Sequence, residues 1–217
     1  MVKATIGMLC VLLTAAAANA AFIVEPNGLA SANYAFTGDC TAASGPSLAG
    51  LAVGLTGAGS IYGGNGATYD EYTFSYTPGV DADNFFPTLG EDLGNGDSAT
   101  GVVGGGSGNY YVYITWPSST NVNAAGSLIT VNGDGAPVIV NPVDNNSTAP
   151  LPNGTDKWLK LGKVPLTAGN TYTVTQRANV TSFVSQRNAG VMWEPVPEPA
   201  TMSLLGLAGL AFLRRRR

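Results

Sequence analysis

The spacing of apolar residues constrains the fold of this chain more than any other feature. Between Ala21 and Glu194 no stretch shows a sustained 3.6-residue apolar period, whereas alternation with a period of two recurs. The strongest example is residues 109–116, with one face made of Tyr110, Val112, Ile114 and Trp116, and the other of Tyr111, Tyr113 and Thr115. Such alternation is typical of strands with one face in a core. The sequence therefore predicts an all-β domain.

Shorter alternating segments follow one another along the chain, separated by Gly, Asn and Pro. They are residues 68–76, 128–132, 138–140, 157–164, 171–175, 181–184 and 190–193. Short strands at this spacing indicate an antiparallel β-sandwich or jelly roll. Residues 109–194 are its best-defined part. Residues 21–66, with weak strand cues at 33–37 and 51–55, are predicted as its less regular start.

The N-terminal residues 1–20 have the layout of a secretory signal peptide. Lys3 supplies a positive charge, residues 6–18 form an apolar region, and Ala18 and Ala20 fit the small-x-small cleavage pattern. We expect a signal helix that is cleaved after Ala20. The alternative is a permanent N-terminal anchor.

The C-terminal segment combines a Pro-Glu-Pro tripeptide, an apolar run and a cationic end. Residues 200–213 carry no charge, and as a helix they span about 21 Å, less than the roughly 30 Å of a hydrocarbon core. Pro197 and Pro199 place the start of that helix after them. Arg214, Arg215, Arg216 and Arg217 should stay on the cytoplasmic side. The alternative is an amphipathic helix packed on the domain.

The order of tripeptide, apolar helix and arginine cluster resembles the PEP-CTERM sorting signal of Gram-negative and related bacteria. The matching residues are 196–201, 203–213 and 214–217, with Pro197, Glu198 and Pro199 as the tripeptide. The resemblance implies recognition by exosortase, a membrane protease-transpeptidase that is thought to cleave near this motif. It also implies transient insertion in the inner membrane, followed by delivery to the cell surface or extracellular matrix.

Removing both signals leaves an acidic domain of residues 21–195. Residues 21–195 hold thirteen of the fourteen acidic residues and five of the ten basic residues, so this domain has a net charge of −8. Such a surface disfavours nucleic acid as a partner. Cys40 is the only cysteine left after loss of Cys10, so no intramolecular disulfide forms. We favour a buried role for Cys40 over a reactive thiol.

Residues 109–193 resemble the C-terminal domain of golvesin and the related domains of xanthan lyases. The resemblance is carried by residues 110–117, Asn121, 158–162, 168–174 and 191–194. It implies a non-catalytic β-sandwich similar to galactose-binding modules, which occurs beside polysaccharide-active regions. The expected fold is thus a jelly-roll, galactose-binding-like sandwich flanked by the signal helix and the C-terminal hydrophobic helix. This chain departs from the pattern of those domains at Gly190-Val191-Met192 and in an insert at residues 141–156.

The chain contains no histidine, which excludes Ser-His-Asp and Cys-His catalysis and His-ligated zinc. An acidic loop at residues 81–97 contains the remaining side chains that could bind a metal ion or catalyse a reaction. Its alternating oxygen side chains, Asp81, Asp83 and Asn84 first among them, suit Ca²⁺. The alternatives are a solvated acidic loop, which we favour, and a carboxylate pair for glycoside hydrolysis.

Aromatic side chains offer a second kind of site, because they can stack on sugar rings. Trp116 and Trp193 lie at inward strand positions and are predicted to be core. Tyr111, Tyr113 and Trp158 are the predicted carbohydrate contacts. The sequence thus predicts a non-enzymatic structural or adhesive protein with weak polysaccharide binding and no required cofactor. Rival hypotheses are a carbohydrate-active enzyme and a coat protein without a ligand.

Overall fold

The computed structural model describes residues 21–38, 40–42, 45–56, 61–63, 70–85, 90–93, 98–100, 102, 104–120, 125–146, 154–179 and 186–197. The predicted signal peptide with Ala18 and Ala20, the sorting residues Glu198 and Pro199, the helix at 200–213 and the four arginines lie outside these residues. Within the described part of the chain, no helix is long and apolar enough to span a membrane.

The described residues form twelve strands and one short α-helix. In chain order the strands are β1 Phe22–Val24, β2 Tyr34–Thr37, β3 Cys40–Ala42, β4 Ile61–Gly63, β5 Glu71–Tyr76, β6 Gly108–Thr115, β7 Ser127–Val131, β8 Val138–Val143, β9 Leu159–Leu166, β10 Tyr172–Ala178, β11 Gln186–Asn188 and β12 Gly190–Pro195. The helix α1 spans Leu48–Ala52, and a 3₁₀ turn spans Ser31–Asn33.

The strands pair antiparallel in two main sheets, which confirms the predicted β-sandwich. The first sheet has the order β1-β12-β6-β9, and the second has the order β2-β5-β10-β7-β8. A small third sheet has the order β11-β4-β3. The N-terminal region supplies β1 to one main sheet and β2 to the other, so it is an integral part of the sandwich. Cys40 lies in β3, and its side chain lies outside what the structure describes.

The core between the two main sheets is built from the strand faces that the alternation predicts. Tyr110, Val112, Ile114 and Trp116 all belong to this core and are at most 2% exposed. Aromatic rings join the sheets within it, and the ring of Tyr76 lies 5.7 Å from that of Trp193. The predicted inward positions of Trp116 and Trp193 are therefore confirmed.

In β9, the residues after the middle of the strand face the opposite side from the one that the sequence alternation predicts. The alternation in 157–164 places Lys163 on the same face as Leu159 and Leu161, but Lys163 is exposed and Val164 is buried. The pairing of β6 with β9 shifts register between Val112 and Tyr113. A β-bulge adds one residue to a strand and thereby reverses the faces of all residues beyond it.

The outer face of the first sheet is covered rather than exposed to solvent. A second apolar cluster lies there, made of Ala21, Ile23, Leu55, Leu93, Ala99, Tyr113, Trp158 and Met192. Its members come from the N-terminal region, from residues 93 and 99, and from the sheet and the residue before β9. The covering segments come from distant parts of the chain, which strand alternation does not reveal.

Candidate binding groove

A groove opens beside the end of β6, where α1 meets the sheet. It has a cavity volume of about 250 Å³. Its lining comes from α1 and the residue after it, from the segment 91–93, and from the residues that precede β9. These residues are Leu48, Ala49, Ala52, Val53, Glu91, Asp92, Leu93, Asp156 and Trp158. The size is slightly below the 300–1,000 Å³ of pockets for drug-sized ligands, so it fits one small group of a larger ligand.

The first wall is α1, which replaces the strand that the sequence cue at 51–55 indicated; that prediction is wrong. Ser47 caps the helix, because its Oγ accepts a 2.9 Å hydrogen bond from the backbone N–H of Gly50. The same Oγ accepts a 2.8 Å hydrogen bond from Oγ1 of Thr115 at the end of β6. Both hydroxyl-bearing residues are fully buried. The cap therefore fixes the helix to the sheet.

The second wall is Asp156, whose backbone lies in the left-handed region with φ at 55°. Its backbone N–H donates to the carbonyl of Trp116 at 2.9 Å. Its Oδ1 accepts a 2.8 Å hydrogen bond from the backbone N–H of Leu48. The turn before it needs Gly154, where a Cβ would lie 2.4 Å from Cζ3 of Trp116. This wall therefore depends on Gly154, Asp156 and Trp116, and the sequence did not predict that these three residues lie together.

The floor and third wall combine Trp158 with residues 91–93. The backbone N–H of Trp158 donates to the carbonyl of Leu93 at 3.2 Å. Asp92 forms an isolated antiparallel bridge with Ser98, and this pairing presents Glu91 and Asp92 at the groove. Trp158 is only 1% exposed, so the indole supplies the base of the groove rather than an open stacking platform.

The lining of the groove determines which ligands it can hold. Carboxylates of Glu91, Asp92 and Asp156 accept hydrogen bonds, and the α1 side chains and the indole offer apolar contact. This combination suits a ligand with hydroxyl or ammonium donors and an apolar face. The three acidic groups repel anionic ligands.

The predicted carbohydrate contacts are separated by the structure. Trp158 lies at the base of the groove, whereas Tyr113 is 1% exposed and does not line it. Tyr111 is half-buried, and the Nζ of Lys160 lies 4.3 Å from its ring centroid. The prediction that these three residues form one outward aromatic surface is therefore wrong. It took no account of the cluster that covers the sheet or of the lysine over the ring.

A buried carboxyl that sequence reasoning missed lies beside these tyrosines. Glu194 is 1% exposed and accepts hydrogen bonds from the backbone N–H of Thr100 at 2.8 Å and from the hydroxyl of Tyr113 at 3.3 Å. Burial raises the pKa of Glu194, and these hydrogen bonds offset only part of that rise. Its sequence position gave no signal, because a polar residue in an alternating strand is expected to face solvent.

Two of the predicted calcium ligands form hydrogen bonds within the fold. Asn84 imitates a strand partner for Ile23: its Oδ1 accepts from the backbone N–H at 2.8 Å, and its Nδ2 donates to the carbonyl at 2.7 Å. Asp81 accepts hydrogen bonds through Oδ2 from the backbone N–H of Thr77 and the side chain of Asn33. The polar side chains of Asn84 and Asp81 therefore stabilise the fold through these hydrogen bonds.

The third predicted ligand, Asp83, accepts a 3.2 Å hydrogen bond from the hydroxyl of Tyr76. Burial raises the pKa of Asp83, and this hydrogen bond lowers it in part. Across the described segments, no group of three or more His, Cys, Asp or Glu side chains is arranged to hold a metal ion. The calcium hypothesis gains no support from these residues, while Asn95 and Asp97 lie outside them.

The C-terminal tail is matched by a known family. Residues 195–217 fit the model of the PEP-CTERM protein-sorting motif. The chain carries a PEP-CTERM sorting signal. This motif indicates exosortase-dependent export and sorting to the cell surface, as the sequence predicts. The matched PEP-CTERM segment covers the tail and leaves the sandwich unassigned.

A solved xanthan lyase structure supports the fold of the sandwich, and two further solved structures are similar at lower TM-scores. A Paenibacillus xanthan lyase is similar over 82% of this chain and 13% of its own, with 21% identity and a TM-score of 0.51. A Podospora anserina beta-(1,4)-mannanase (17% identity, TM-score 0.42) matches 83% of this chain and 29% of its own. A Phanerochaete chrysosporium exo-beta-1,3-galactanase (12% identity, TM-score 0.38) matches 80% and 29%. The chain thus spans less than a third of each structure. No curated protein matches its sequence.

The PEP-CTERM tail follows β12 with no intervening loop. The backbone N–H of Val196 donates to the carbonyl of Asn109 at 2.8 Å, and Oγ1 of Thr100 donates to the carbonyl of Pro195 at 2.7 Å. Pro197, the first residue of the tripeptide, is half-buried. The folded domain therefore extends up to the sorting motif.

Proposed function

We propose that this protein is an exosortase-sorted cell-surface or extracellular-matrix component whose sandwich is non-catalytic and adhesive. Its adhesive activity is weak binding of extracellular polysaccharide at the groove between α1, Asp156 and Trp158. The observation that carries this proposal is the combination of an apolar helix wall, an indole base and three carboxylates in one groove. Sugar units present both hydroxyl donors and apolar ring faces, so they match this lining.

Charge restricts the class of polysaccharide. The groove contains three carboxylates, from Glu91, Asp92 and Asp156, and residues 21–195 have a net charge of −8. Anionic polymers therefore meet repulsion at the groove and over the surface around it. Neutral polysaccharides, and those with amino groups, are the favoured ligands.

The positions of the perturbed carboxyls support a non-catalytic role. Glycoside hydrolysis uses two carboxyls that flank the scissile bond, one of them an acid with a raised pKa. Asp83 and Glu194 have pKa values raised by burial, and neither lines the groove. The enzyme alternative rests on Glu91 and Asp92 of the acidic loop together with Asp156. A coat protein without a ligand is the third hypothesis.

Binding and turnover assays on residues 21–197 separate these three hypotheses. The soluble polysaccharides are a neutral mannan, a neutral galactan, chitosan and polygalacturonate, and affinity electrophoresis measures retardation. We expect retardation by a neutral polymer or chitosan, none by polygalacturonate, and no release of reducing ends. Released reducing ends would establish the enzyme alternative. No retardation by any polymer would favour the coat protein.

A further inference from the structure

The sorting tail leaves the domain at one end of the sandwich, which we call the exit end. The backbone N–H of Val196 pairs with Asn109 beside the start of β6. Gly108 at that start pairs with Leu166 at the end of β9. Tyr76 at the end of β5 pairs with Tyr172 at the start of β10. Strand ends and connections from both main sheets therefore meet where the tail begins.

The groove lies at the opposite end. β6 runs from Gly108 at the exit end to Thr115, which binds the cap of α1. The backbone N–H of Asp156 in the groove wall bonds the carbonyl of Trp116, the next residue along. Trp116 lies seven positions after Asn109, which is about 23 Å in an extended strand. The tail and the groove thus lie at the two ends of one strand.

The connection between the domain and the apolar tail is short. Val196 is the last of the described residues with a backbone hydrogen bond to the sandwich, and the uncharged run starts at Ala200. Four residues reach at most about 14 Å, and the sequence of this connection contains Pro197 and Pro199. A tether of this length is shorter than the strand that separates the two ends.

We propose that the exit end faces the lipid bilayer while the tail is inserted, and that the groove then points away from the membrane. This inference rests on the exosortase sorting in the proposed function and on the transient membrane insertion that the PEP-CTERM resemblance implies. The occupant of the exit end is the surface of the bilayer that holds the tail. The short tether sets the orientation. The polysaccharide site is therefore accessible before the tail is processed.

Two exposed apolar residues mark the two ends. Val80 is 72% exposed and follows Gly79, where a Cβ would lie 3.0 Å from the carbonyl oxygen of Gly105 beside β6. Leu51 in α1 is 52% exposed at the groove end. A fluorophore on a cysteine at either position reports its distance from the bilayer. Both positions can be labelled separately in a chain with Cys40→Ser.

The experiment uses the chain from Ala21 to Arg217, reconstituted in vesicles of phosphatidylethanolamine and phosphatidylglycerol that contain headgroup spin-labelled lipid. Circular dichroism first verifies that each labelled chain is folded. We expect the label at Val80→Cys to be quenched severalfold more than the label at Leu51→Cys. Equal quenching, or stronger quenching at position 51, in protein that sediments with the vesicles would overturn the orientation alone. Failure to sediment with vesicles would overturn the membrane insertion and, with it, this inference.

A linker variant tests whether the short tether causes the orientation. About ten Gly and Ser residues inserted between Val196 and Pro197 have a root-mean-square span of about 17 Å. We expect this insertion to reduce the difference between the two labels while the protein still sediments with the vesicles. An unchanged difference would show that the tether does not set the orientation.

Discussion

The backbone N–H of Leu48 donates a 2.8 Å hydrogen bond to Oδ1 of Asp156, which is 108 positions away in the chain. This bond joins the helix wall of the groove to the turn that precedes β9. The carboxylate of Asp156 therefore has two parts in the groove, because it holds α1 in place and contributes an acceptor to the lining.

Substitution of Asp156 should distinguish the roles of its carboxylate from the effect of its left-handed backbone conformation. Its φ of 55° is tolerated by both Gly and Asn. Asp156→Asn keeps an oxygen acceptor for Leu48 and should unfold at a similar denaturant concentration. Asp156→Gly loses the bond and should lower the free energy of unfolding by about 1 kcal/mol and weaken polysaccharide binding. Urea unfolding and affinity electrophoresis measure these effects, and identical behaviour of the two variants would contradict the role of the bond.

Gly154 should tolerate no side chain, because a Cβ there would lie 2.4 Å from Cζ3 of the buried Trp116. We expect Gly154→Ala to lower the free energy of unfolding by about 1–3 kcal/mol, as overpacking in a core does. Gly135→Ala is the matched control, since nothing lies within 4 Å of its Cβ position. That change should be neutral or add about 0.4–1 kcal/mol. Equal stabilities of the two variants in urea would disprove the close packing of this turn.

The stability of the domain should fall with rising pH through the titration of Glu194. Burial holds its pKa above the ordinary value of 4.5 in the folded state, so the folded protein binds this proton more tightly than the unfolded chain. The resulting stabilisation is present at low pH and is lost as the pH rises from the ordinary value through the raised pKa.

Glu194→Gln removes this titration and keeps groups that can bond Thr100 and Tyr113. The free energy of unfolding of the variant, minus that of the wild type, should therefore increase as the pH rises from the ordinary carboxyl value of 4.5 through the raised pKa. Urea denaturation across this range gives the difference directly. Asp83→Asn should show the same trend, because burial also raises the pKa of Asp83. A pH-independent difference for Glu194→Gln would argue against a buried carboxyl.

Replacement of the four C-terminal arginines should impair sorting. They terminate the uncharged run at residues 200–213, and positive residues hold such a segment at the cytoplasmic side of the membrane. With Arg214 to Arg217 changed to Gln, we expect accumulation of unprocessed protein or release with the tail intact. Cell fractionation and the mass of the released chain measure this. Identical processing of both forms would contradict the sorting function of the tail.

The sequence allowed the inner faces of the strands to be predicted, because alternation reports which residues share a face. Tyr110, Val112 and Ile114 lie in the core for this reason. The same alternation misplaced Lys163, because the bulge opposite Val112 and Tyr113 depends on the pairing of two strands. A single strand carries no signal for such a shift.

The groove could be predicted only in part. Trp158 was identified as a ligand contact from its residue type, and it does line the groove, although as a buried base. The α1 wall and Asp156 were missed, because the bond between Leu48 and Asp156 joins segments 108 positions apart. The sorting tail needed no such long-range contacts, since its three parts are contiguous in the sequence.

The affinity of a groove-filling variant tests the proposed binding site most directly. Ala52 is exposed and lines the groove, so the indole of Ala52→Trp should occupy the space that a sugar unit needs. Val80→Trp, at a position that is 72% exposed at the exit end, is the matched control. In affinity electrophoresis with the polymer that retards the wild type, Ala52→Trp should bind at least about tenfold more weakly, about 1.4 kcal/mol, while Val80→Trp binds like the wild type. Retention of full affinity by a folded Ala52→Trp variant would contradict the groove as the binding site.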